Sequence, residues 1–130
     1  MAKYKVVKED SKKSRPRTHE DIAAQIIANH FKSDVIFIRR ENSKTPDLYI
    51  IKTNVRWELK SPIGDGKRNI QNNLRKAKNQ SENIIIDLAR SRLTEAKAKS
   101  RIDEYLRKES SIIKRIKIIT KDGAVVDIRG

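Results

Sequence analysis

TPDLYIIKTNVRWELK, residues 45–60, decides the reading of this chain. Two strand-like segments, 47–52 and 55–60, flank the turn formers Thr53 and Asn54, and this arrangement predicts a hairpin. Yet Asp47, Glu58 and Lys60 sit inside those segments, where charges cost stability unless they are paired, solvated or used. Period-2 alternation sets Val55, Trp57 and Leu59 on one face and Arg56, Glu58 and Lys60 on the other. Glu58 and Lys60 then project side by side, roughly 7 Å of strand apart. Asp47 opens the partner strand, so the three charges are expected to converge at the end of a twisted sheet.

Upstream, Thr18 and Asp21 form a capping-box pattern that opens a helix over 19–31. Its expected buried face is Ile22, Ala23, Ile26, Ile27, His30 and Phe31. Glu20 projects along the edge of Ile27 and Phe31 rather than towards bulk water, an odd place for a carboxylate. His19 and His30 read as packed or capping residues, since no neighbouring spacing suggests a zinc site. A strand is expected over 35–40.

Downstream, the turn formers of SPIGDG (61–66) break the strand pattern. A helix over 67–80 follows, with an apolar stripe of Ile70, Leu74 and Ala77 beside a polar row of Asn69, Asn73, Lys76 and Gln80. NIIIDL (83–88) reads as a strand buried on both faces. A helix over 93–108 should bury Ala98, Ile102, Tyr105 and Leu106, and strands 112–120 and 124–128 close a hairpin around Lys121-Asp122-Gly123. The expected fold is α/β, with a mixed central sheet in the order α β β β α β followed by a helix and a terminal hairpin. Residues 1–17 read as a basic flexible arm and 18–130 as one domain.

The chain has 130 residues, a formal net charge of +14 and 37% charged residues, with no cysteine. Such a basic surplus favours nucleic acid, an anionic membrane surface or an acidic protein as partner. Disulfides and thiolate metal sites are excluded. No apolar run reaches the roughly 20 residues of a membrane span. MAKYKVVKEDSKK (1–13) offers no apolar stretch of the signal-peptide kind, so no secretion signal is expected in this chain.

Two acidic oxygens beside a lysine suit phosphodiester hydrolysis. The acids can hold a hard divalent cation such as Mg²⁺, with Mn²⁺ or Zn²⁺ as alternatives. The lysine can stabilise charge on the phosphoryl group or position the nucleophile. Pro46-Asp47 followed, after ten residues, by Glu58-Leu59-Lys60 resembles the signature of the PD-(D/E)XK nuclease superfamily. The run WELKSPIGDGKRNIQNNLRKAKNQSENIIIDLAR (57–90) is similar to the C-terminal tRNA-nuclease toxin domains of CdiA-type contact-dependent growth inhibition proteins.

That resemblance implies a restriction-endonuclease-like core and catalytic roles for Glu20, Asp47, Glu58 and Lys60. It implies a metal site at Asp47, Glu58 and Leu59. It also implies a substrate cleft that includes Ser61, Lys67, Arg68, Asn69, Asn73 and Lys76. An acidic immunity protein would be the cognate partner, and the site of action would be the cytoplasm of a target cell.

Blander readings stand beside these. Glu58 and Lys60 would form an ion pair on a solvated face, worth under about 1 kcal/mol, and the neighbouring Arg56 fits that reading. Glu20 would serve the helix dipole. Trp57 points away from Glu58 and reads as core, while Tyr49 could stack on a base or pack. Charge alone does not separate RNA from DNA. No helix carries a groove-reading set, and scattered Lys and Arg suit the shape recognition of a folded RNA. The resulting expectation is a metal-dependent nuclease acting on tRNA. The alternatives are a DNA endonuclease of the same superfamily or a nucleic-acid-binding module without chemistry.

Overall fold

The computed structural model describes residues 4–8, 18–38, 47–64, 69–77, 82–108 and 113–129. Among them lie seven strands and three helices, a mixed α/β fold. The chain divides into two compact units, residues 1–59 and 60–130.

The first unit holds β1 (Val6–Lys8), α1 (Thr18–Phe31), β2 (Val35–Ile38), β3 (Asp47–Ile50) and most of β4 (Val55–Lys60). Its strands lie in the order β1-β2-β3-β4. The first pair is parallel and the other two are antiparallel. Phe37, Leu48 and Trp57 align across β2, β3 and β4, as do Val35, Ile50 and Val55. This alignment builds one apolar face, buried except for the half-buried Val55. The hairpin closes as expected. The Asn54 N–H donates to the Ile50 carbonyl at 2.8 Å, and Asn54 takes φ 61°, a left-handed conformation that Asn tolerates.

Helix α1 packs against β1, β2 and β3. Glu20 and Asp21 lie in its first turn, where acids complement the helix dipole. At its end Lys32 adopts φ 53°, and the Lys32 and Ser33 N–H groups donate to the carbonyls of Asn29 and Ala28 at 3.3 and 3.1 Å. This is a Schellman stop with lysine where glycine is usual.

The buried stripe differs from the expected one. It consists of Glu20, Ala23, Ala24, Ile27 and Ala28, while Ile22 and His30 are exposed. Three small alanines on the buried stripe leave room for the bulky side chains of the sheet face, and Ile22 and His30 are turned outward instead.

The basic arm expected over 1–17 also needs correction. Val6–Lys8 pair in parallel with β2, and Lys5 is anchored on both of its main-chain groups. Its N–H donates to Asp34 Oδ1 at 2.8 Å, and its carbonyl accepts from the Val35 N–H at 3.0 Å. The apolar Val6 and Val7 suffice for a short edge strand despite the surrounding lysines. Residues 9–17 lie outside the described residues.

The second unit holds α2 (Asn69–Ala77), β5 (Asn83–Asp87), α3 (Glu95–Lys108), β6 (Arg115–Ile119) and β7 (Val125–Arg129). Strands β5 and β6 are parallel and bridged by α3, and β7 returns antiparallel. All of β5 is buried, as the NIIIDL run suggested. Ile70 and Leu74 of α2 join Ala98, Ile102 and Tyr105 of α3 over Ile84, Ile86, Ile116 and Ile118 in one core.

Helix α3 starts at Glu95, two residues later than the pattern suggested, because Thr94 is its cap. The Thr94 Oγ1 accepts from the Lys97 N–H at 3.1 Å. Leu93, just outside the helix, is buried in the same core as Ala98. The terminal hairpin turns at Gly123, whose φ of 85° favours glycine. Only the Asn69–Ala77 part of the expected helix 67–80 is described. No described helix is long and apolar enough to cross a membrane.

Candidate active site at the end of the β3–β4 hairpin

Asp47 and Glu58 are direct register partners across the antiparallel β3–β4 pair. Partners of this kind share a face, with Cβ atoms roughly 5 Å apart. Both carboxylates are almost wholly withdrawn from solvent, each residue being 2% exposed. Two like charges about 5 Å apart repel by on the order of 3 kcal/mol at an effective dielectric near 20. Such an opposition calls for compensation, by neighbouring cations, by a bound metal or by a shared proton.

Two cations are at hand. Arg56 faces Tyr49 in the register and so lies one step diagonally from Asp47 on the same face. Its Nη1 stands 3.8 Å from Asp47 Oδ2. Lys60 follows Glu58 by two residues on the same strand, and only 5% of it is exposed. Burying the ammonium of a lysine costs far more than burying its stem, so a Lys at this depth implies nearby anionic groups.

The expected convergence of Asp47 with Glu58 therefore holds. Trp57 is buried on the opposite face, level with Leu48, and its ring lies 5.9 Å from Phe31 of α1. Tyr49 is partly buried on the acidic face, opposite Arg56.

Glu20 is also buried, at 5% exposure, as its awkward angle on the helix suggested. The Phe31–Trp57 contact shows that α1 covers the Trp57 face, so the register alone does not set Glu20 beside the acidic pair. Among the described residues no three His, Cys, Asp or Glu side chains gather closely enough to hold a metal. The donor set consists of the two cross-strand carboxylates, and Leu59, whose side chain is buried, can add only its carbonyl. Two buried carboxylate groups fit a hard cation that keeps several waters.

Of the expected cleft residues, Ser61 is half-buried and its carbonyl accepts from Arg90 Nη2 at 3.2 Å. Asn73 is half-buried on α2. Lys67 and Arg68, and the side chains of Asn69 and Lys76, lie outside the described residues. Sequence reasoning gave Arg56 only a bland role and overlooked Arg90. For Arg56 the signal was present, since period 2 puts it on the face of Glu58. Arg90 carried none, because its partner lies 29 residues away.

Comparisons with known proteins bear on the whole assembly. The family model described as "Contact-dependent growth inhibition CdiA C-terminal domain" matches residues 44–125. That span includes the β3–β4 hairpin with Asp47, Glu58 and Lys60. Among solved structures, the chain is similar in fold to one from a CdiA-CT/CdiI toxin and immunity complex of Burkholderia pseudomallei. The two share 19% identity at a TM-score of 0.69, over 97% of this chain and 99% of the other. No curated protein matches the chain.

Proposed function

This chain belongs to the contact-dependent growth inhibition CdiA C-terminal domain family, and from that premise we propose that it is a toxin domain that cleaves nucleic acid, tRNA first. We place its active site in the PD-(D/E)XK manner at Asp47, Glu58 and Lys60. The observation that carries this reading is the buried, directly opposed carboxylate pair of Asp47 and Glu58. A structural role gives no reason to bury two like charges in register, whereas metal-assisted phosphodiester hydrolysis does.

In this reading Asp47 and Glu58, with the Leu59 carbonyl, would hold a divalent cation such as Mg²⁺. A cation bound there polarises a phosphoryl oxygen and lowers the pKa of a bound water. Lys60 donates to a non-bridging oxygen of the scissile phosphate and stabilises its developing charge. Arg56 compensates Asp47 in the metal-free protein. Glu20, buried on α1, is the further acid that the resemblance implies for this site, and the Glu20→Gln variant below tests that role. The net charge of +14 draws in the polyanion. The fold is shared with a toxin described in complex with an immunity protein. A cognate immunity protein with an acidic docking face is the partner this reading implies, and a target cell is the place of action.

The test is cleavage of total tRNA and of plasmid DNA, incubated separately with Mg²⁺ or with EDTA. Discrete tRNA fragments are expected with Mg²⁺ only. They should be lost by at least about 100-fold in Asp47→Ala and Lys60→Ala, and reduced in Glu20→Gln. Cutting of DNA instead would keep the site and change the substrate. A chain that binds either polymer yet cuts neither, with Mg²⁺ or Mn²⁺, would overturn the reading in favour of a binding module.

A further inference from the structure

We infer that Arg90 and Ser61 form a phosphate-binding subsite for the nucleic-acid strand, immediately beyond Lys60. Both residues belong to the second unit, and Ser61 is the next residue in the chain.

The segment after β4 is tied to the turn that follows β5. The Gly64 N–H donates to the Arg90 carbonyl at 3.2 Å, and the Arg92 N–H donates to the Gly64 carbonyl at 2.7 Å. Ser91 Oγ donates to the same Gly64 carbonyl at 3.3 Å. Gly64 takes φ +77° with open space where a Cβ would stand, so the conformation and not crowding calls for glycine. The Arg90 turn is fixed in its own right, because the Ala89 N–H donates to Asp87 Oδ1 at 3.1 Å. Arg90 is thus held in a clamped loop rather than on a free surface.

Its guanidinium spends one hydrogen bond on the Ser61 carbonyl, at 3.2 Å from Nη2. Its Nε–H is buried without a hydrogen-bond partner, and so is the hydroxyl of Ser61. Among the described residues Arg90 has no acidic partner. A half-buried guanidinium with neither an anion nor a full set of acceptors is costly in a purely structural role. The same group is suited to an anion, which supplies both the missing charge and the missing acceptors. The Arg90 Nη2 bond to the Ser61 carbonyl holds the two residues together. An arginine Nε–H and a serine hydroxyl are donors of the kind that phosphodiester oxygens accept. The ligand class is therefore a backbone phosphate of a polynucleotide. This deepens the proposed function by naming how the strand is held, but it needs no cleavage to be true.

Binding is read by fluorescence anisotropy of labelled tRNA in EDTA, across a salt series, for the wild type, Arg90→Ala, Arg90→Lys and Ser61→Ala. Arg90→Ala should weaken binding about tenfold and reduce the salt slope by nearly one phosphate contact. Arg90→Lys should keep the slope while losing part of the affinity, since a lysine retains charge without the fork.

Ser61→Ala separates this from a structural role, because it preserves the carbonyl that Arg90 grips. Loss of an unpartnered buried hydroxyl should leave the melting temperature level or raised, whereas the subsite requires weaker tRNA binding. Unchanged binding in Ser61→Ala and an unchanged salt slope in Arg90→Ala would overturn the assignment. If Arg90→Ala fails to fold, Ser61→Ala alone decides. If millimolar inorganic phosphate raises the melting temperature of the wild type alone while tRNA binding is equal in all variants, the site serves free phosphate and the strand assignment falls. Should Arg90 bind tRNA that is never cut, the nuclease reading fails and the subsite stands.

Discussion

Two antiparallel hairpins of the molecule, β3–β4 and β6–β7, treat charge in opposite ways. In β6–β7, Lys117 is the register partner of Asp127 and the two form an ion pair. Lys117 is 12% and Asp127 65% exposed on their side chains. In β3–β4, Asp47 is the register partner of Glu58, and both are 2% exposed. The terminal hairpin follows the rule that opposed charges should differ in sign and keep contact with water. The other places like charges in the interior. Both have orthodox turns, with Asn54 and Gly123 at positive φ, so backbone chemistry does not explain the contrast. Where one hairpin obeys the stability rules and its counterpart breaks them at a single cross-strand position, that position is the one to assign to function.

The sharpest way to break this comparison is to neutralise the acidic pair. Glu58→Gln keeps the shape and removes one of two like charges. Cleavage should fall by roughly 100-fold or more, while the metal-free protein should melt a few degrees higher, for a gain of up to about 1 kcal/mol. A lower melting temperature in EDTA would mean that the two acids are structural, and would return the site to an ordinary buried ion cluster.

The converse change imposes the unfavourable pattern on the orthodox hairpin. Lys117→Glu opposes two acids on β6–β7 and should cost roughly 0.5–1 kcal/mol in urea unfolding. Its cleavage activity should equal that of the wild type. A neutral effect on stability would show that cross-strand sign matters little in this sheet, and would weaken the argument for the first hairpin.

The smallest expected effect concerns the turn of the terminal hairpin. Asp122 accepts from Thr120 Oγ1, and this bond, with the local main-chain N–H groups, holds its carboxyl below the ordinary carboxylate value. A folded value below the unfolded one means that this contribution is fully present above the ordinary carboxylate range. It is lost as pH falls through the depressed folded value. Acid unfolding followed from neutral pH downward should be slightly shallower in Asp122→Asn than in the wild type. Equal acid limbs in the two proteins would remove Asp122 from the account of the turn.

Much of this was legible in one dimension. The two turn signals, the six-residue alternation of VRWELK and the apolar NIIID run each carry their instruction locally. Strands β4 and β5 and both hairpins accordingly lie where periodicity puts them. The opposition of Asp47 and Glu58 was also readable, because a short hairpin loop fixes register without help from the rest of the chain. Helix α1 shows the limit. Its period was clear, but the face that is buried carries three alanines and not Ile22, a choice that rests on what the sheet offers it to pack against. For Glu20 the sequence indicated burial and only the packing of α1 decided the face. The β1 edge strand needed β2 as a template 29 residues away.

By itself, the sequence determined the charge surplus, the alternation that puts Glu58 and Lys60 on one face, and the hairpin that brings Asp47 opposite Glu58. These depend on spacing within about a dozen residues, which strand and turn geometry translate directly into position. Only the tertiary structure decided how deeply Asp47, Glu58 and Lys60 are buried, which face of α1 meets the sheet, and that Arg90 meets Ser61. Those facts arise from contacts and desolvation among segments that meet only after the chain has folded.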